Sequence, residues 1–203
     1  MKTKFMLAII AITMTFASCK KEEEAKVTPQ PTTLEFTVKN SLGNSVAGAT
    51  VMLYSSLTNM QNLTNPIGDP KTTDANGKVT ISNLQAIKYY YRVEKDCENN
   101  INGATSIANN LTANSNNVVT VILSKTGDFM FQNTSSNPYN VYINGELIGD
   151  IDGNTTQPLY YQPIGSYTIK VVQKSGYVIS PTENNFTSNL ICGQTISVVF
   201  PQK

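Results

Sequence analysis

The chain has 203 residues, with 15 Lys and Arg against 14 Asp and Glu and no histidine. Near-neutral charge leaves no basic stripe to neutralise phosphates, so nucleic acid is not an expected partner. The missing histidine removes the commonest general base, Ser-His-Asp catalysis and imidazole-held metals, and three cysteines are too few for a disulfide framework.

Lys2 and Lys4 precede an uncharged apolar run over 5–16 (FMLAIIAITMTF), which gives way to small Ala17 and Ser18. A basic start, a short apolar core and a small-residue exit predict a secretory signal peptide over 1–18. The apolar run is well short of the roughly 20 residues that a spanning helix needs. Cleavage would shorten the chain from 203 to 185 residues and take Lys2 and Lys4 with it, so that 15 basic against 14 acidic side chains becomes 13 against 14.

Phe16-Ala17-Ser18-Cys19 resembles a bacterial lipobox, with Phe16 where that motif usually has Leu. The resemblance implies that Cys19 is acylated and becomes the first mature residue. Two or more acyl chains on one residue hold a protein at a membrane essentially permanently. The following Lys20, Lys21, Glu22, Glu23 and Glu24 resemble the charged export signal of outer-membrane lipoproteins in the Bacteroidota. That likeness implies an outer-membrane, outward-facing location. Residues 19–33, ending in VTPQPTT, have no apolar period and read as a flexible tether of up to about 40 Å.

From residue 34 the pattern changes to period two. In LEFTVKN, Leu34, Phe36 and Val38 share one face while Glu35, Thr37 and Lys39 share the other, the mark of a half-buried strand. Further strands are predicted over 49–55, 78–83, 88–95 and 118–125, separated by turn clusters at 42–44, at 74–77 and through the Asn-rich run 109–117. No helical stripe is visible. VKNSLGNSVAGATVMLY and TTDANGKVTISNL, followed by a Tyr-rich strand, resemble the carboxypeptidase regulatory-like domain, a transthyretin-like sandwich, over 34–126.

The second half, 127–203, continues in the same style. YNVYINGELIGDI predicts a hairpin whose Asn144-Gly145 supplies the positive φ angles of a primed turn. In CGQTISVVF, Ile196, Val198 and Phe200 share a face. This order, with Pro163-Ile164-Gly165-Ser166 ahead of Tyr167, resembles a PEGA-type β-domain of bacterial envelope proteins. The expected fold is all-β: two tandem small sandwiches, transthyretin-like or Ig-like, after a lipoprotein signal peptide and tether.

No residues supply the roles of an active site, so no enzyme activity, cofactor or metal is expected. DIDGN spaces Asp150, Asp152 and Asn154 as a calcium loop does. Its glycine comes one place early and Tyr161 stands where the closing Glu belongs, so an ordinary turn is expected. Cys97 and Cys192 could pair in an oxidising compartment, yet they fall in different predicted domains. In Tyr89-Tyr90-Tyr91 alternation sends Tyr89 and Tyr91 toward the core and Tyr90 outward, and Tyr160-Tyr161 splits likewise. Tyr90 and Tyr160 are therefore the candidate ligand contacts, as stacking rings for glycans. The expected role is a monomeric, lipid-anchored display or spacer protein that meets glycans or envelope proteins; the alternative is a carbohydrate-binding accessory of a polysaccharide-capture system.

Overall fold

The computed structural model describes residues 30–202. The expected signal peptide 1–18, the lipidated Cys19, the export run at 20–24 and the tether as far as residue 29 lie outside the described residues. Within them the chain is all-β apart from one short helix.

The first half contains β1 (Thr33–Asn40), β2 (Thr50–Tyr54), β3 (Lys71–Thr72), β4 (Lys78–Ile81), β5 (Tyr90–Lys95) and β6 (Glu98–Asn99). β1, β2, β4 and β5 match the predicted strands, with β1 burying Leu34, Phe36 and Val38 as the alternation requires, whereas β3 and β6, of two residues each, fall where no strand is expected. The helix, α1 (Leu57–Asn62), was not expected. At six residues it is too short to show a period. Ser56 starts it by accepting a hydrogen bond from Asn59 N at 3.2 Å, and Met60 is its buried residue.

The largest departure is β7 (Asn116–Asn133), an 18-residue strand. Its first part pairs in parallel with β1, from Thr33↔Asn116 to Asn40↔Leu123. Its last part pairs with β10 (Thr156–Pro163) and, in parallel, with β13 (Thr195–Phe200). The strand thus crosses the expected 126/127 boundary without interruption, and both halves hang on one backbone. At about 3.3 Å per residue it is about 60 Å long.

Each half has its own core. In the first, β1 and β7 face β2 and β5, with Phe36 edge-on to Tyr91 at 5.3 Å. In the second, a four-stranded sheet faces β7, β10 and β13. Its order is β12 (Glu183–Leu190), β11 (Gly165–Gln173), β8 (Tyr139–Ile143), β9 (Glu146–Ile151). Tyr139 meets Phe200 at 5.3 Å and Phe129 meets Tyr167 at 5.1 Å across that interior. The β8–β9 hairpin turns on Asn144 and Gly145 with φ of 50° and 87°, the primed turn expected. Val198 and Phe200 are buried on the expected face of β13.

Tyr91 is fully buried, yet its hydroxyl has no protein hydrogen-bond partner. An unpaired buried hydroxyl costs on the order of 1 kcal/mol or more, so Tyr91→Phe is expected to raise unfolding free energy by about 1 kcal/mol at neutral pH. Burial also holds the Tyr91 pKa above its ordinary 10.0. Above that pH the unfolded state sheds a proton that the folded state keeps, so stability falls as pH rises. Urea unfolding of both proteins at pH 7 and pH 10.5 checks this: the variant has the higher midpoint at pH 7, and its advantage widens at pH 10.5. A lower midpoint for Tyr91→Phe would overturn it.

Candidate functional site

The two halves meet at a seam organised by Thr126, which is buried at the middle of β7. Its backbone N donates to Cys97 O at 2.9 Å in the first half, while its carbonyl accepts from Gly193 N at 2.9 Å in the second. Its hydroxyl accepts from Asn99 Nδ2 at 2.8 Å. Cys97 sits in the β5–β6 turn, where Asp96 has φ 54°, and Cys192 in the β12–β13 turn, where Gly193 has φ 72°. Both turns lean on Thr126, which brings the two Cα atoms to 5.6 Å, and the cysteines form a disulfide. The sequence placed them in separate domains; β7 places them side by side.

Beside the disulfide lies a cleft of about 590 Å³ lined by Arg92, Glu94, Glu98, Asp128 and Tyr161 among others. Arg92, the chain's one arginine, is buried in mid-strand and needs partners there. Its Nε donates to Glu94 Oε2 at 3.0 Å, its Nη2 donates to the Tyr161 hydroxyl, and the guanidinium lies 4.8 Å from the Tyr161 ring centre. Burial by itself would lower the Arg92 pKa; the hydrogen bonds to Tyr161 and Glu94 outweigh it and hold the pKa above its ordinary value. Tyr161 is the other half of this clamp. It has φ 58° at an irregularity between Leu159 and Gln162 of β10. Its N donates to Asp128 Oδ1 at 2.8 Å and its carbonyl accepts from Asn102 Nδ2 at 2.7 Å. A second cleft of about 300 Å³, lined by Leu57, Met60 and Ile101, shares the Arg92–Tyr161 wall.

Of the predicted contacts, Tyr160 is exposed, with its ring 6.1 Å from that of Tyr161. Tyr90 is half-buried, with Lys88 Nζ 5.7 Å from its ring centre. No aromatic pair or hydrogen bond joins Tyr90 to Tyr160. Arg92 and Tyr161, which line both clefts, were not among the candidates. A lone arginine in a tyrosine-rich strand was the available signal, while the φ of Tyr161 has none in sequence. In the calcium-like turn, Lys174 donates to Asp150 Oδ2 at 2.9 Å and holds that carboxyl below its ordinary value. Buried Asn133 donates from Nδ2 to Asn137 O, Ile151 O and Asp152 O, which sews the same turn to the end of β7. Among the described residues no group of three acidic or sulfur side chains is placed to hold a metal, and no helix is long and apolar enough to cross a membrane.

No family model matches the chain, and no curated protein matches it in sequence. Solved structures similar to it include the Bacillus anthracis TIE protein, at 15% identity and a TM-score of 0.34, covering 84% of this chain and 34% of that one. A streptococcal ancillary pilin is similar at 12% identity and a TM-score of 0.39, with 86% and 63% covered. A leucine-rich repeat protein from Bacteroides thetaiotaomicron is similar at 13% identity and a TM-score of 0.36, with 86% and 26% covered. The chain spans less than two thirds of the length of each of these three.

Proposed function

We propose that this protein is a non-enzymatic envelope lipoprotein of the Bacteroidota type, held at the outer membrane by lipid on Cys19 and facing the cell exterior. In this reading its first half is a carboxypeptidase regulatory-like sandwich, its second a PEGA-like β-domain, and together they display or space an interaction surface. The observation that carries the proposal is the seam: one unbroken strand, a disulfide and the Arg92–Tyr161 clamp fasten two sandwiches into a stiff unit about 60 Å long. That construction suits reach better than turnover, since Arg92, Glu94, Tyr161 and Asp128 are bonded to one another across the seam. The disulfide supports a compartment outside the cytoplasm, where such bonds persist.

Cys19→Ser is expected to move the protein from the membrane to the soluble fraction on cell fractionation, and continued membrane retention defeats the anchor. Digestion by protease added to intact cells is the expected result for an outward-facing protein. Protection until the outer membrane is permeabilised instead assigns it to the periplasm, with envelope proteins as partners.

The exposure of Tyr160 favours a second reading, a glycan-binding accessory in which that ring stacks on a sugar, with Tyr90 as a further platform. Tyr160→Ala is then expected to abolish retention on a polysaccharide column, and unchanged retention removes Tyr160 from the proposal.

A further inference from the structure

Val178 and Ile179 are 99% and 95% exposed, more than any other large apolar side chain among the described residues, and Tyr177 beside them is 46% exposed. They form the apex of the loop at 174–182, between β11 and β12. The neck of this loop is built. Buried Gln173 accepts from Thr182 N at its side-chain oxygen (3.3 Å), donates from Nε2 to Ser175 O (3.0 Å) and donates from its backbone N to Thr182 O (2.8 Å). Lys174 N donates to Pro138 O at 2.8 Å, and Gly176, with φ 81°, packs on the Asn137 side chain. A clamped neck fixes where the loop leaves the fold, and its apex leaves the apolar side chains of Val178 and Ile179 in water, an arrangement that marks an interaction surface.

The place is the far pole of the molecule. The described chain begins beside the start of β7, at Thr33↔Asn116, whereas the loop neck sits on residues 137 and 138, just beyond the end of β7 at Asn133. We infer that the apex Tyr177-Val178-Ile179 inserts into the surface of a lipid bilayer. Two successive side chains exposed on all sides need a medium that surrounds the loop, which fluid acyl chains provide and a one-sided groove on a protein does not. Tyr177 at the shoulder supplies the amphipathic ring that settles at headgroup depth. The neighbouring charges are spent on each other, Lys174 with Asp150 at 2.9 Å and Lys170 with Glu183 at 3.0 Å. The insertion is therefore driven by apolar burial and does not need anionic lipid. It does not depend on the anchor proposed for Cys19; with that anchor in place, the membrane met by the tip is an opposing one.

The chain has no tryptophan, so the full chain carrying Val178→Trp reports on the tip alone, whatever its N-terminal segment does. With phosphatidylcholine vesicles, the indole emission is expected to shift to shorter wavelength and to be quenched by bromine on the acyl chains, equally at low and high salt. Adding Ile179→Asp is expected to weaken this partition by roughly tenfold or more. Both positions are solvent-exposed, so unchanged far-UV circular dichroism shows that the fold is kept. Emission that stays at the water-exposed position under saturating vesicles overturns the inference, even if the protein floats with them. A shift produced by envelope proteins but not by protein-free vesicles overturns it in favour of a protein groove.

Discussion

Replacing Cys97 and Cys192 together by serine is expected to lower the unfolding free energy by about 4–5 kcal/mol, read as a fall in the urea midpoint. The bond joins residues 95 apart, and closing a loop of that length in the unfolded chain removes entropy worth about 4.7 kcal/mol at 25 °C in the chain-entropy account. Against a typical domain stability of about 5–15 kcal/mol this is a large share. In the folded state the two turns are brought together by Thr126, which bonds Cys97 O and Gly193 N on either side. Dithiothreitol should reproduce the loss in the wild-type protein and leave the serine variant unmoved. An unchanged midpoint in either experiment would overturn the loop-entropy account of the bond.

Gly127→Ala is expected to cost about 2–3 kcal/mol, a fall in Tm of roughly 5–10 °C. A Cβ built at this position would stand 2.7 Å from Gln194 O, 2.8 Å from Ile191 O and 2.9 Å from Leu190 Cδ1. Two of those atoms are backbone of the turn that carries Cys192, so the methyl group must bend β7 or push the turn outward. Gly145 makes a useful contrast: nothing lies within 4 Å of its missing Cβ, and it is needed there only for its φ of 87°. Since the pushed turn is the disulfide's own, Gly127→Ala combined with the double serine change should cost less than the two effects summed. Full additivity by thermal unfolding would overturn the close-approach account of Gly127.

The same residues explain what could be read from the sequence. Leu34, Phe36 and Val38 announce their strand because alternation records a half-buried sheet face within seven residues, and Asn144-Gly145 announces its turn because positive φ is a local requirement. Lys125-Thr126-Gly127-Asp128 reads as a break for the same local reasons: three polar residues and a glycine. The glycine is there because another backbone approaches it, which is a tertiary cause, and β7 continues through it. The seam was illegible in the same way. Cys97 meets Cys192 and Arg92 meets Tyr161 across 95 and 69 residues, and neither spacing carries a period. The outward tyrosine of the 160–161 pair was identified by alternation, while Tyr161 took its role from a backbone irregularity that no alternation predicts.

The parallel pairings of β7 bear on how the molecule would respond to being pulled. Thr33 lies at one end of β7 and Phe200 at the other, each in a strand that runs parallel to it. Tension applied between those two residues therefore draws β1 and β13 along β7 in opposite directions. Parallel ladders have evenly spaced hydrogen bonds, so the rungs from Thr33↔Asn116 to Asn40↔Leu123, and those from Thr195↔Asp128 to Phe200↔Asn133, are sheared together rather than unzipped singly. The disulfide spans the gap between the two ladders, so slippage in one half is stopped by a covalent bond before it reaches the other.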